Sequence, residues 1–322
     1  MLNRGIALVN RRNTLLFLQR IGFLAMLLGV VVLGATRAYA GEGGGSRYLP
    51  GFLDTMSGVL QPPGWYADLK VISYSATTSR AAMSGQPTLD LRLHDAIEIG
   101  LVRQVTDYRL WGSYYAWEVL LPWETPHLEG RTNGVLQFNE RTSAEDDLIL
   151  VPLLLGWHYG DSHQRAQFVI YTNWGNYNVN RILNTGRNSW ALEADYAFTY
   201  YNLHNGWEVS VAPGYTVNFI NPATHYLSGQ ELHVDYTVLQ HFSPTAGAGL
   251  AGYYFQQTTG DSGAGAIFGP FKGRTEALGP ILSYTIRNGN TPITLVGKYY
   301  SEFAVRNRFA GHSFWFVVRL PI

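Results

Sequence analysis

The chain of 322 residues contains no cysteine. That excludes a disulfide framework and removes the thiolate ligands of the usual zinc spacings. Charge is also scarce, at 14% of residues. With the five arginines of the first forty residues set aside, 18 basic side chains face 23 acidic ones, a net charge of −5. No cluster of Lys and Arg remains to answer phosphates, so no nucleic-acid partner is expected. After Ala40 there is no apolar run long enough for a membrane-crossing helix. A phosphate-binding loop is missing as well. Gly263, Gly265 and Gly269 lack the strand-to-helix context and the lysine that such a loop needs. No cofactor and no metal are expected.

The first forty residues have the composition of an export signal. Arg4, Arg11, Arg12 and Arg20 form a basic region, Ile21 to Ala35 an apolar one, and Ala38-Tyr39-Ala40 a small-residue cleavage site. The alternative is a retained anchor, but the uncharged stretch is shorter than the roughly 20 residues a spanning helix requires. Cleavage is expected after Ala40. The mature chain then divides into an N-terminal segment, 41–63, and a single domain, 64–322.

What the chain has in abundance is aromatic residues, 45 of them, and 35 glycines. They are distributed in twelve stretches of about ten residues. Asn188 to Tyr201 shows the pattern: Trp190, Leu192, Ala194, Tyr196, Phe198 and Tyr200 alternate with Ala191, Glu193, Asp195, Ala197 and Thr199. Successive side chains of a strand point to opposite faces, so this stretch sorts into apolar-out and polar-in. A helical period would put acids and aromatics on every side. The stretches are 64–75, 90–104, 111–122, 146–158, 164–174, 188–201, 207–219, 229–241, 245–258, 273–286, 291–302 and 311–322.

Their connections alternate in length. Those at 76–89, 123–145, 175–187, 220–228, 259–272 and 303–310 are long, and those between are tight turns such as Gly160-Asp161 and Asn288-Gly289-Asn290. Short turns at one rim and long loops at the other are the asymmetry of an outer-membrane barrel. The expected fold is therefore all-β, an antiparallel transmembrane β-barrel of about twelve strands, embedded in outer-membrane lipid and inserted by the barrel-assembly machinery. A soluble sandwich or propeller would also use short strands, but it would bury the apolar face and expose the polar one. The last stretch runs to the final residue, as a closing strand should, although it ends on Pro321-Ile322 rather than on an aromatic residue.

Several runs resemble a known family. They are Ser57 to Tyr66 (SGVLQPPGWY), Pro152 to His158 (PLLLGWH), Ser228 to Tyr236 (SGQELHVDY) and, most distinctive, Gly252 to Pro280 (GYYFQQTTGDSGAGAIFGPFKGRTEALGP). Over residues 48–322 the chain is similar to the MetA-pathway phenol-degradation proteins, also described as SphA-like outer-membrane transporters. The resemblance implies a barrel associated with uptake of small hydrophobic or aromatic solutes. It implies no particular binding residues.

Twelve strands enclose less space than the 16–18 of an open porin, so side chains or a plug should fill the lumen. The segment 41–63 is the candidate plug, or hatch. After a glycine-rich start it carries Phe52, Leu53, Met56 and Leu60 at helical spacing, and Pro62-Pro63 ends it. A tail resting on the rim is the other reading. The predicted inward charges fall into sets: Glu118 and Arg165; Glu193, Asp195 and Glu208; Glu231, His233 and Asp235; Lys298, Glu302 and Arg319. They fit either a salt-bridge network filling the lumen or a polar route. The stretch 146–158 is apolar on both faces, which suggests a greasy inner patch or contact with the hatch. Phe268, Phe271 and Lys272 are candidates for an external mouth, because loops on a rigid scaffold often carry function. Tyr and Trp near strand ends fit interfacial girdles better than ligand stacking.

Catalytic signals are weak. Gly160-Asp161-Ser162-His163 shares a GDS triplet with hydrolases but falls in a tight turn. An outer-wall hydrolase needs Ser and His side by side, and no such outward pair stands out. His233 and His241 are too far apart to share a metal. The expected function is passive uptake of small hydrophobic or aromatic compounds, with no enzyme activity. A structural or adhesive barrel with a closed lumen is the alternative, and an outer-membrane hydrolase a third.

Overall fold

The computed structural model describes residues 41–132, 136–289 and 291–322. The predicted signal and its cleavage after Ala40 lie on residues outside that set. Fourteen strands follow in order: β1 (Gly64–Met83), β2 (Gln86–Leu110), β3 (Ser113–Thr132), β4 (Leu136–Arg141), β5 (Ala144–Glu145), β6 (Ile149–Tyr159), β7 (Ser162–Tyr171), β8 (Ala191–Tyr201), β9 (Trp207–Asn218), β10 (Glu231–Ser243), β11 (Ala246–Gln257), β12 (Arg274–Asn288), β13 (Thr291–Arg306) and β14 (Ala310–Pro321).

Twelve of them make one closed antiparallel barrel. Each strand pairs with the next, β3 with β6, and β14 returns to β1 from Tyr66↔Pro321 to Thr77↔Ala310. Closure leaves no row of unpaired backbone groups, which is what a strand-built membrane protein requires. The short β4 and β5 lie outside the ring, paired to the far end of β3. Among the described residues no helix is long and apolar enough to cross a membrane.

Three connections differ from the sequence reading. The loop expected at 76–89 is strand almost throughout, with β1 and β2 paired to Met83↔Gln86 and only Ser84-Gly85 at the tip. The short connection expected at 105–110 shrinks to Trp111-Gly112, both at positive φ, the conformation a tight hairpin favours. Within 123–145, β3 continues to Thr132. Polarity misled in each case. A hairpin that projects beyond the bilayer has water on its faces, so it pairs without an apolar stripe.

Outward side chains form an apolar belt. Leu121 is 64% exposed and Phe314 58%, and Leu69, Leu250, Leu282 and Phe316 are exposed with them. In water such a surface would be a liability; against acyl chains it is the expected wall. Inward positions alternate with these. On β8, Ala191, Glu193, Asp195, Ala197 and Thr199 are buried, and on β10, Glu231, His233, Asp235, Thr237 and Leu239.

Candidate functional site

Residues 41–63 run along the inside of the barrel. At one end Gly44 O accepts from Phe309 N, and Glu42 Oε2 accepts from Asn221 and Thr224 of the long connections. At the other end Leu60 O lies 3.0 Å from His158 Nε2, beside the short β6–β7 turn. The apolar residues from Phe52 to Leu60 form no helix; this stretch is a series of turns, and the segment's one helical turn is Glu42–Gly44. The reason is visible in its backbone. Amide groups that a helix would use internally donate to the wall: Gly51 and Leu53 to Asp235, Met56 to Glu208, and Gly58 to Thr199 Oγ1. A charged acceptor makes the stronger hydrogen bond, so the carboxylates win. Gly58 is pressed so close that a Cβ there would lie 2.6 Å from Thr199 N and 2.7 Å from His163 O.

The charged wall comprises β8, β9, β10, β13 and β14. It converges on Asp54 of the segment, which accepts from Lys298 Nζ at 2.7 Å and from the Arg319 guanidinium. Burial opposes ionisation of Asp54. The nearby Arg319, Lys298 and Lys70 outweigh it and hold the carboxyl below its ordinary range. Lys298 also donates to Gly51 O, 2.5 Å away. Glu231 accepts from the Arg47 backbone N–H at 3.0 Å, while the Arg47 guanidinium bonds Asp147 at 2.7 Å. Tyr48 donates to Asp235 and stacks on the His233 ring with centroids 3.5 Å apart. Thr55 donates to Glu208 at 2.7 Å. Glu193 accepts from Tyr171 and Thr216, and Asp195 from Gln167.

The other predicted inward residues stand apart from this centre. Glu118 pairs with Arg103 at 2.5 Å, Arg165 is buried on β7, and Glu302 accepts from Tyr74 and Tyr253, each at 2.9 Å. Sequence reasoning missed Arg47, Tyr48 and Asp54, which anchor the segment, and Lys70 and Arg103, which face the lumen from β1 and β2. The alternation Asp68, Lys70, Ile72 carried a signal for Lys70. A lone Asp in an apolar run gave a weak one for Asp54.

The facing wall carries a large apolar patch beside the buried Lys70, Arg103, Glu118 and Arg165. Ile72, Ile97, Ile99, Leu101, Leu120, Val151, Leu154 and Val169 join one buried cluster with Leu60, and Leu49 and Phe52 pack against it. This explains the doubly apolar β6. Its inner side meets Leu60, whose Cβ would lie 2.3 Å from a Cβ placed on Gly156. Leu53 instead packs with Ala197 and Ala212 on the charged side, and Met56 takes a positive φ of 57° as the segment turns. Two cavities adjoin the segment: one of about 110 Å³ against Ile97, Ile99, Leu120, Val151 and Val169, and one of about 210 Å³ nearer the long-loop end, where polar residues such as Asp95, Asn218 and Glu231 also line it. Both are lined by Leu49, Ile97, Glu124, Asp146 and Arg187. An apolar cavity of about 150 Å³ holds a benzene ring.

At the long-loop rim, Arg80 lies over the rings of Phe268 and Phe271, 5.9 Å and 4.2 Å from their centroids. Lys272 donates to Thr258 O at 2.6 Å and so braces its own loop. One expectation needs correction. Ser75 and His94 do stand side by side on the exterior, register partners on β1 and β2 with Ser75 Oγ 3.0 Å from His94 Nδ1. Strand register makes this pair, and no spacing in the sequence reveals it. No carboxylate or amide bonds the other ring nitrogen of His94 among the described residues, so the pair stops short of a triad. In the GDS turn, His163 bonds His158 at 2.7 Å.

A closed twelve-stranded antiparallel barrel with an apolar outer belt and a segment inside its lumen is an outer-membrane β-barrel architecture. The chain belongs to the family described as "Putative MetA-pathway of phenol degradation", whose profile matches residues 78–318. Among solved structures it is similar to the COG4313 outer membrane channel from Pseudomonas putida F1. The TM-score there is 0.58 at 14% identity, covering 81% of this chain and 96% of that one. The transport unit of the autotransporter AIDA-I from Escherichia coli follows at TM-score 0.46 and 7% identity, covering 81% and 90%. The β domain of the Bordetella autotransporter BrkA gives 0.44 and 8%, covering 81% and 100%. At these identities the likeness speaks for the fold alone. No functionally curated protein matches the sequence.

Proposed function

We propose that this barrel is a channel for passive uptake of small hydrophobic or aromatic compounds, with residues 41–63 as its hatch and Phe268, Phe271 and Lys272 at its external mouth. The observation that carries the reading is a pair of cavities beside the hatch that share lining residues, the smaller against the apolar strands and the larger, of about 210 Å³, with room for one aromatic ring. A solute moving there meets Ile97, Ile99 and Val169 on one side and Leu49 and Phe52 on the other. The family's association with phenol degradation agrees with it, as does the similarity to an outer membrane channel of Pseudomonas putida.

On this reading the barrel works without catalysis, and the exterior Ser75–His94 pair is a cross-strand hydrogen bond. The barrel-assembly machinery and outer-membrane lipid are its remaining partners, and the leader is removed after Ala40. The buried charges serve to seat the hatch, not to conduct ions. Planar-bilayer recording tests the proposal. Deleting 41–60 should raise single-channel conductance several-fold, and monocyclic aromatics should cross into proteoliposomes faster than sugars of similar mass. Unchanged conductance after the deletion would overturn the hatch. Equal influx of aromatics and sugars would overturn the route. A second reading, a structural barrel with a closed lumen, is favoured by the dense bonding of the segment, and absence of any current from wild-type and deleted protein would support it.

A further inference from the structure

Glu193, Asp195 and His233 each offer one ligand atom, and all three atoms lie within 4.8 Å of one another. The register puts them there. Asp195 on β8 and His233 on β10 both pair with Gly214 of the intervening β9, and Glu193 pairs with Thr216 two residues on. Gly214 is what lets them meet. A Cβ at that position would lie 2.0 Å from Asp195 Oδ1 and 2.3 Å from His233 Nε2. Glycine therefore leaves a hollow into which two side chains lean from either side.

The hollow is closed to bulk solvent, and several of its polar atoms lack a hydrogen bond. His233 has no exposed surface, and neither of its ring nitrogens has a hydrogen-bond partner among the described residues; nor does Asp195 Oδ1. Leaving such groups buried without a hydrogen bond costs about 1–3 kcal/mol each, and a cation between His233 Nε2 and Asp195 Oδ1 would relieve two of the three. The nearest approaches are 3.4 Å from His233 Nε2 to Asp195 Oδ1 and 3.6 Å to Glu193 Oε2. These are long for a hydrogen bond. They suit the edge of a tetrahedron, roughly 3.3–3.6 Å when each metal–ligand bond is about 2.0–2.2 Å.

The rest of each carboxylate is already oriented. Gln167 Nε2 donates to Asp195 Oδ2 at 2.7 Å. Tyr171 and Thr216 donate to Glu193 at 3.1 Å and 2.5 Å. Outer partners of this kind fix ligands in metal sites.

The geometry points to a divalent transition-metal site of the Zn²⁺ class, built from Glu193, Asp195 and His233 over the hollow at Gly214. One imidazole and two carboxylates form a nitrogen–oxygen donor set that suits Zn²⁺, and three protein ligands leave a fourth position open. The two carboxylate charges balance the dication, and His233 binds as the neutral imidazole. Because Tyr48 of the segment stacks on that imidazole, the cation would tie β8 to β10 beneath the segment and fix the surface against which it rests.

The test uses the full-length protein, folded in detergent and stripped with a chelator, and the probes are Zn²⁺ and Co²⁺ alone. One Zn²⁺ per chain is expected by competition against a chromophoric chelator, with the intense visible absorption of low-symmetry, near-tetrahedral Co²⁺. Asp195→Asn and His233→Gln should each weaken Zn²⁺ binding at least about 100-fold, and Tyr171→Phe by roughly 10-fold. His241→Gln, a histidine outside the cluster, should leave it unchanged. Should His233→Gln fail to fold, the wild-type Co²⁺ spectrum and the Asp195→Asn titration decide. No stoichiometric Zn²⁺, or binding that survives both ligand substitutions, would overturn the site and leave a buried ion-pair cluster in its place.

Discussion

The two inner walls of the barrel hold the same segment by different physics. On the charged wall, carboxylates and cations meet the segment's backbone amides, Asp54 and Arg47 over a small number of fixed distances. On the apolar wall, the side chains of Leu60, Phe52 and Leu49 only pack, and a cavity remains between Phe52, Leu49 and the strands. Hydrogen bonds to buried charge are directional and leave no tolerance for a gap. Apolar contact is non-directional, so space can persist there for a guest. The difference explains how one segment can be both fastened and passed by.

Breaking the charged side should have the largest effect. Asp54→Ala leaves Lys298 buried without its carboxylate, and loss of one partner of a buried pair costs about 3–5 kcal/mol. The segment should come free. Protease cleavage between 41 and 63, and open-channel events in bilayers, should both rise on the order of 100-fold or more, and wild-type behaviour in both would break the comparison. Replacing Asp54 and Lys298 together with apolar residues should be milder than Asp54→Ala, because only Arg319, which also meets Asp68, then loses this carboxylate.

On the apolar side, Leu60→Ala removes a side chain that is 3% exposed. Core truncations of this kind cost about 2–5 kcal/mol. Passage of aromatics should quicken without the gross opening expected for Asp54→Ala. Influx of a monocyclic aromatic and of an ion, measured in the same proteoliposomes, separates the two walls.

A smaller effect concerns the long-loop rim, where Asp261 accepts from Tyr226, Gly229 N and Gln257. Burial pushes its carboxyl up to about 7, against roughly 3.9 in an unfolded chain. The folded rim thus binds the extra proton. Its stability is full below about pH 4 and falls as pH rises to about 7, with the loss complete above that. Amide exchange in 220–230 and 259–273 should be slower at pH 5 than at pH 8 after correction for intrinsic rates, and Asp261→Asn should remove the difference. The smallest expected effect is at Ser75. Ser75→Ala should change neither stability by more than about 0.5 kcal/mol nor hydrolysis of lipid esters, and an esterase activity lost in that variant would revive a hydrolytic reading.

The barrel was legible in the sequence because strand parity is local. Glu193 and Asp195 alternate with Leu192, Ala194 and Tyr196, and that sets which residues share a face wherever the strand lies. The loop bounds were less legible. Thr77 to Met83 and Gln86 to Leu93 are mixed in polarity, and only their pairing makes them strand. The doubly apolar β6 raised the possibility of an inner partner, but Leu60 as that partner emerged only in the fold.

By itself, then, the sequence determined periodicity and the number of barrel strands, both properties of neighbouring residues. The tertiary structure alone decided who meets whom in the lumen. Lys298 reaches Asp54 across 244 positions of sequence. Asp195 and His233 meet because both register on Gly214, and Ser75 faces His94 for the same kind of reason. Such meetings depend on how strands are staggered around a closed ring. Stagger is a collective property of every pair in the barrel, and no single stretch of residues encodes it.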